Sequence, residues 1–336
     1  MTDRPSRFLI VRLGSLGDVI HAIPAVSALG ARHPEAAIDW LVDPRYAEVV
    51  QLVEGVNRAI PVDSRRRPGV LLETIGELRR TKYDAVIDLQ GLLKSAVLAR
   101  AAGARRTIGL PREHLREPAA RFFYGETPDP GRHPHVIHKN LAIVRALGVT
   151  DARVTFPVKA SRTATSDTVA GMFGPEGYVV INPGAAWPNK RWPPDRFGAL
   201  AAAMRSRLGV RSLVLWGPGE EQLASLVVGA SWGAAELSPG TGIVDLFAIA
   251  SGAKLMISGD TGPLHIAAAV GTPIVALFGP TLAERNGPWA SADITLSRAA
   301  QCVCHYERRC RLAERCIDDI GLDEVVSAVE ARVARG

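Results

Sequence analysis

The feature that most narrows the fold is a strand–turn–helix unit repeated along the chain, with glycine or proline at nearly every strand end. Short apolar runs stand at FLIVRL (8–13), AIDWLVD (37–43), YDAVIDL (83–89) and RTIGL (106–110). Helical segments such as PAVSALGARHP (24–34) and SAVLARAAGA (95–104) lie between them. The pattern restarts at YVVINPG (178–184), RSLVLWGPG (211–219), KLMISGD (254–260) and PIVALFGP (273–280). Strands this apolar, alternating with helices, build parallel sheets covered on both faces. The stretch DARVTFPVKASRTATSD (151–167) has no clear periodicity and reads as a linker. The expected fold class is therefore α/β, with two Rossmann-like doubly wound domains in tandem, residues 1–160 and 161–336. A chain of 336 residues is long enough for two such cores. Ligands of these sheets bind beyond the carboxyl ends of the strands. Both halves place their Gly/Pro turns there, so an active site in the cleft between the domains is expected.

With 47% hydrophobic and 22% charged residues, the chain has the composition of a soluble globular protein. No run of about 18 apolar residues marks a spanning helix. MTDRPSRFLIVRL lacks an apolar segment with a small-residue cleavage site, so a cytoplasmic location is expected. The charge is uneven. Residues 1–160 carry 24 Lys and Arg against 17 Asp and Glu, whereas residues 161–336 carry 16 against 17. A basic first half suits an anionic partner (nucleic acid, a membrane surface or a phosphorylated substrate), although an arginine-rich solvated surface gives the same count.

The turn RLGSLGDVIHAIPA (12–25) follows the first strand, and it is not a dinucleotide fingerprint. Gly14 and Gly17 stand without a third glycine, and Asp18 occupies a place where a carboxylate would repel phosphate. Asp43 ends the second strand where a ribose-binding acid would sit, which leaves a nicotinamide enzyme as an alternative. The second half has three turns of one kind. NPGAAWPNKRWP (182–193) puts Lys190 before a helix, WGPGEEQ (216–222) puts Glu220 and Glu221 at a helix start, and SGDTGPLHIAAAVGTP (258–273) does so with Asp260, Thr261, Gly262 and His265. Helix N-termini rich in small residues suit a diphosphate through unbonded N–H groups and the helix dipole. Lys190 adds a point charge for a leaving phosphate. Each acid taken singly reads as a helix N-cap, but three convergent turns favour a nucleotide or nucleotide-sugar pocket.

These segments, with YDAVIDLQGLLKSA (83–96) and LREPAARFFY (115–124), resemble the ADP-heptose:lipopolysaccharide heptosyltransferases of glycosyltransferase family 9. The resemblance implies the two-domain GT-B fold and inverting transfer of heptose from ADP-heptose to the inner core of lipopolysaccharide, with no cofactor for catalysis. Asp18 falls on the family's general base. Lys190, Glu220, Asp260, Thr261, Gly262 and His265 fall on its donor-binding positions. Inverting transfer is one in-line displacement, so a single carboxylate opposite the leaving group suffices. Gly17 leaves room for the acceptor, and His21, about one helical turn from Asp18, orients it, serves as the base itself or is purely structural. Arg65, Arg66, Arg67, Lys94, Arg105, Arg112 and Arg116 supply cations for a Kdo–lipid A acceptor, with Arg65, Arg67, Lys94 and Arg116 the leading positions. That acceptor implies a protein peripheral to the cytoplasmic face of the inner membrane. Gly184-Ala185-Ala186-Trp187 reads like a second-heptose enzyme, whereas REP (116–118) and IDWLV (38–42) read like a first-heptose enzyme. A protein of the same fold that binds nucleotide sugars or senses metal without catalysis is the rival from another class.

All four cysteines, Cys302, Cys304, Cys310 and Cys316, fall within fifteen residues. In a cytoplasmic protein such a set suggests one structural zinc or iron held by four thiolates, remote from the chemistry. Arg308, Arg309, Arg311 and Arg315 interleave with the thiols, which leaves a zinc-finger alternative. Nothing else resembles a nucleic-acid module, so no nucleic-acid partner is expected.

Overall fold

The computed structural model describes residues 6–63, 68–150 and 153–335. The chain divides into two compact units, Met1–Lys159 and Ala160–Gly336. In the first unit, β1 (Arg7–Val11), α1 (Leu16–Arg32), β2 (Ala37–Val42), α2 (Ala47–Gln51) and β3 (Arg58–Pro61) form one half of the winding. The other half comprises α3 (Pro68–Thr81), β4 (Ala85–Asp88), α4 (Leu93–Ala101), β5 (Arg106–Ile108) and α5 (Val136–Val144). The strands order as β3-β2-β1-β4-β5 and pair in parallel throughout. The order reverses at β1, so the turn after β1 and the turn after β4 adjoin at the carboxyl edge, where doubly wound sheets take ligands.

The second unit opens with α6 (Ala164–Phe173), whose first turn is capped by Thr163 through a bond from Ser166 N to Thr163 Oγ1. It continues β6 (Tyr178–Asn182), α7 (Pro194–Leu208), β7 (Arg211–Val214), α8 (Glu221–Gly229), β8 (Ala235–Leu237) and α9 (Ile243–Gly252). It ends β9 (Leu255–Gly259), α10 (Gly262–Ala269), β10 (Ile274–Phe278), α11 (Ala283–Asn286), β11 (Ile294–Ser297) and α12 (Leu322–Ala334). Six parallel strands order as β11-β10-β9-β6-β7-β8. The α/β class with two doubly wound sheets is as the sequence suggested. Three short strands, β3, β8 and β11, lack the continuous apolar run that marks the others, and the 151–167 stretch already contains the cap and first turn of α6.

Each sheet is buried by aliphatic side chains from both faces. Leu9, Val11, Leu41, Val86 and Leu98 form part of one core. Ile181, Trp192, Phe197, Leu200, Ile257, Leu277 and Val329 form part of the other, where the Trp192 and Phe197 rings meet edge-on with centroids 4.9 Å apart. Among the described residues no helix is long and apolar enough to cross a membrane.

Two helical glycines give opposite expectations. A Cβ on Gly198 in α7 would lie 2.5 Å from the Ala230 Cβ and 2.7 Å from the Ala230 carbonyl carbon, because the end of α8 presses on α7 there. Gly198→Ala should destabilise the protein by about 1–3 kcal/mol. Gly171 in α6 is exposed and meets nothing within 4 Å. Gly171→Ala should stabilise by about 0.5–1 kcal/mol, from helix propensity alone. Chemical denaturation of the two variants measures both signs.

Candidate active site

The second sheet gathers its polar groups where the sequence suggested. Asp260 follows β9 at the carboxyl edge and is 9% exposed. Its carboxylate accepts from Lys190 Nζ (2.5 Å), Thr281 Oγ1 (2.8 Å) and Asn286 Nδ2 (2.6 Å), and His265 Nε2 lies 3.4 Å away. Burial alone would raise the Asp260 pKa. The His265 hydrogen bond and the Lys190 charge outweigh it and hold the carboxyl well below the usual carboxylate range. Lys190 ends the short 3-10 turn Pro188–Lys190, and its ammonium also sits 4.5 Å from the Trp187 ring centroid. Asn182 Nδ2 donates to Ser258 Oγ (2.9 Å) and Thr261 Oγ1 (3.0 Å), tying the end of β6 to the end of β9.

The acids of this ring are not helix caps. α7, α8 and α10 all begin without a side-chain hydrogen bond to their first turn. Glu220 precedes α8, but its carboxylate accepts from Gly217 N (3.2 Å) and Arg191 Nη2 (3.4 Å). A Cβ on Gly184 would overlap that carboxylate, so the Asn-Pro-Gly turn needs glycine to let Glu220 approach. Thr261 stands at the N-cap of α10, yet its hydroxyl meets Asn182 and Ser258 rather than the helix. Gly262, the first residue of α10, adds no side chain at the helix start. The N-terminus of α10, which starts two residues after Asp260, thus carries no side-chain cap beside the buried ion pair.

In the first unit Asp18 lies in the first turn of α1. Its Oδ2 accepts from Ser15 N and Ser15 Oγ, both at 3.0 Å, which is the capping-box arrangement. Its Oδ1 lies 2.5 Å from Arg12 Nη2, and the Arg12 side chain is only 7% exposed while that of Asp18 is 29% exposed. Arg12 also donates to the Leu89 carbonyl in the turn after β4. That turn is itself fixed by Asp88. Its carboxylate, fully buried, accepts from Gln90 N (2.8 Å), Gly91 N (3.2 Å), Ser95 Oγ (2.8 Å) and Tyr124 Oη (2.7 Å). Burial raises the Asp88 pKa, and these four donors only partly offset it. Gln90 Oε1 then accepts from Leu13 N at 2.6 Å, closing the link between the two turns. Arg12, Asp88, Thr281 and Asn286 escaped the sequence reading. Arg12 could have been found as a charge inside an apolar strand end and Thr281 as the residue after a Gly-Pro strand end, whereas Asn286 gives no signal.

The remaining sequence candidates divide. Gly17 is buried in the first turn of α1. His21 is 5% exposed and packs edge-on against His135, ring centroids 5.6 Å apart, while its carbonyl accepts from Asn140 Nδ2 at 2.9 Å. Lys94 and Arg116 are exposed, each adjoining a bond from Leu93 N to Glu117 Oε2 (2.7 Å). Arg65 and Arg67 lie outside the described residues. Asp43 binds Arg45 through its N–H and both arms of the guanidinium, which commits it to a turn rather than a ribose.

The cysteines correct two expectations. Among the described residues no group of three or more His, Cys, Asp or Glu side chains is placed to hold a metal ion. The zinc or iron site expected at Cys302, Cys304, Cys310 and Cys316 is thus not supported. The thiols lie close to one another: Cys310 Sγ is 3.6 Å from Cys304 Sγ, Cys302 Sγ accepts from Cys304 N (3.4 Å), and Cys316 is near both Cys302 and Cys310. Burial and a hydrogen bond with Cys302 push the Cys316 thiol up to about 12. Nor is the segment remote from Lys190. Asn189 Nδ2 donates to the Glu307 carbonyl (2.8 Å) and Arg315 Nη1 to the Pro188 carbonyl (3.0 Å).

Comparison with known proteins places this arrangement. The family model for glycosyltransferase family 9 (heptosyltransferase) matches residues 72–315. Lipopolysaccharide heptosyltransferase 1 of Pseudomonas aeruginosa is 32% identical over 314 residues, covering 90% of this chain and 87% of that one. A crystal structure of a family 9 glycosyltransferase from Veillonella parvula superposes with a TM-score of 0.84 at 24% identity, covering 100% of this chain and 99% of that one. Escherichia coli heptosyltransferase WaaC with ADP superposes with a TM-score of 0.78 at 24% identity, covering 97% and 99%. With a GT-B fold, a family match across most of its length and a relative this similar, the chain belongs to glycosyltransferase family 9, the heptosyltransferases.

Proposed function

We propose that this glycosyltransferase moves heptose from ADP-heptose to a Kdo–lipid A acceptor, as a first-heptose enzyme, by a single inverting displacement. The observation that carries the reading is the buried Lys190–Asp260 pair beside the uncapped N-terminus of α10. A departing ADP needs positive potential at its diphosphate, and Lys190 with the N-terminus of α10 supplies it. Thr281, Asn286 and His265 keep Asp260 fixed when the lysine turns to phosphate. Glu220, Thr261 and Gly262 complete the donor side with hydroxyl-binding and close-approach positions. Lipopolysaccharide heptosyltransferase 1 is the name borne by the Pseudomonas aeruginosa relative.

Asp18 is the general base in this reading. It takes the proton from the acceptor hydroxyl as that oxygen bonds to the anomeric carbon and the bond to the diphosphate breaks. Arg12 and Ser15 lock its rotamer, so the carboxylate is oriented before the acceptor arrives. Gly17 keeps the approach open, and His21 lies one turn along the same helix. Lys94 and Arg116, with Arg65 and Arg67, are the cations assigned to acceptor carboxylate and phosphate groups.

The lipid acceptor implies a protein peripheral to the cytoplasmic face of the inner membrane. Phe122 is 82% exposed on the 3-10 turn Pro118–Phe123, which packs against α4. Leu93 and Val97, one turn apart on α4, are also exposed, with Lys94 between them in sequence. Exposed apolar groups among cations suit an anionic lipid surface.

Release of ADP from ADP-heptose in the presence of Kdo–lipid A tests the reading, and its absence would refute it. Asp18→Asn should lose a factor on the order of 10²–10⁴ in turnover while keeping ADP affinity. Lys190→Ala should do the reverse in calorimetry, weakening ADP by at least roughly tenfold. On sedimentation with phosphatidylglycerol vesicles, Phe122→Ser should weaken binding roughly tenfold, from the apolar area of one aromatic ring. Unchanged partition would remove this face from the account.

A further inference from the structure

We infer that the cysteine-rich segment 302–319 is a strap that positions the donor lysine, with Asn189 and Arg315 as the two positioning residues. The inference rests on the reading of Lys190 as the residue that meets the donor diphosphate.

Lys190 owes its place to a three-residue turn with little structure of its own. Within it, Lys190 N bonds to Trp187 O (3.0 Å) and Arg191 N to Pro188 O (3.2 Å). A turn this short does not hold its position unaided. From beneath, the turn rests on glycines: a Cβ on Gly259 would lie 2.9 Å from the Lys190 carbonyl oxygen, and one on Gly279 would lie 3.2 Å from the Asn189 carbonyl oxygen. From the other side, the strap closes over it. Asn189 is 2% exposed and sends its Nδ2 to the Glu307 carbonyl. Arg315 reaches the Pro188 carbonyl with Nη1 while Nε and Nη2 grip both oxygens of Asp318 (2.9 and 2.6 Å).

The strap is itself braced by its thiols. Glu307 N bonds to Cys304 O (3.2 Å), so the carbonyl that receives Asn189 stands on the turn begun by Cys304. Cys304 is 1% exposed, and its sulfur accepts from Arg311 N (3.3 Å) besides meeting Cys310. The same Gly279 Cβ would lie 3.5 Å from Cys316 Sγ and 3.0 Å from Ile317 Cβ. The Gly-Pro end of β10, the lysine turn and the cysteine segment therefore stack in one place. Past the strap, Trp192 Nε1 donates to Ile320 O (2.9 Å) and Arg196 Nη1 to Asp318 O and Ile320 O (2.5 and 3.0 Å), anchoring the start of α7 to the same segment. A strap with these bonds acts on where the lysine sits, and so on donor binding. The base of this reading, Asp18, is held by Arg12 and Ser15 of its own unit.

The test uses the full-length protein with ADP as probe. Asn189→Asp keeps the shape but turns a carboxylate oxygen towards the Glu307 carbonyl. Arg315→Met keeps the length and removes the bonds to Pro188 and Asp318. Calorimetric ADP affinity and the KM for ADP-heptose should each worsen roughly tenfold in both variants, with acceptor KM unchanged. A merely structural role would lower Tm and leave the ADP affinity of folded protein alone, and unchanged affinity in both variants overturns the proposal. If Asn189→Asp fails to fold, Arg315→Met alone decides it. Lys190→Ala separates the two levels. If it weakens ADP while the strap variants do not, only the strap falls; if it too leaves ADP affinity unchanged, the donor reading falls and the strap with it.

Discussion

A carboxylate taken out of water must be given several donors, and Asp260 organises the second unit by that demand. It sits at the end of β9, the strand paired with both β6 and β10. Four side chains answer it: Lys190 from the turn after β6, His265 from α10, Thr281 from the turn after β10 and Asn286 from α11. An isolated ion at such a place would cost several kcal/mol, so the partners are required rather than decorative. Their convergence fixes the turns at the carboxyl edge relative to one another. The glycines at 184 and 259 then become necessary, since each lets a neighbouring group come closer than a Cβ would allow, and Gly279 leaves room for a tight contact of the same kind.

The first unit follows the same rule with different residues. Asp88 is buried at the end of β4 and draws in the turn at 90–91, Ser95 and Tyr124. A Cβ on Gly109 would lie 2.5 Å from the Tyr124 ring, which is how the end of β5 admits that tyrosine. The turn held by Asp88 presents the Leu89 carbonyl to Arg12, and Arg12 holds Asp18. One buried carboxylate thus supports the placement of another that is partly exposed. The division suits a base, since an oriented carboxylate needs an accessible edge and a fixed rotamer together.

Much of this was legible in the sequence because it is carried by local signals. Apolar runs ending in Gly or Pro marked β1, β2, β4, β6, β7, β9 and β10, and with them the turns that bear Asp18, Lys190, Glu220 and Asp260. What escaped lacks such a signal. β3, β8 and β11 are three or four residues long and partly exposed, so no continuous apolar run distinguishes them. Thr281 and Asn286 matter only because β10 runs beside β9, a pairing no local pattern records. The cysteines show the opposite error. Their spacing suggested a metal shell remote from the chemistry, yet among the described residues no group is placed to hold a metal ion, and the segment bonds to the Lys190 turn through Glu307 and Arg315. Spacing counts donors along the chain, whereas a ligand shell depends on where several sulfurs converge in space.

The proposed transfer is a single in-line displacement, in which a base takes the proton from the attacking hydroxyl as ADP departs. The anomeric configuration of the product, read from its one-bond carbon–proton coupling by NMR, is the most direct test. Starting from ADP-heptose of defined anomeric configuration, the account predicts the opposite configuration in the new glycosidic bond. Retention would require two displacements, a mechanism that one base at Asp18 does not provide, and would contradict it.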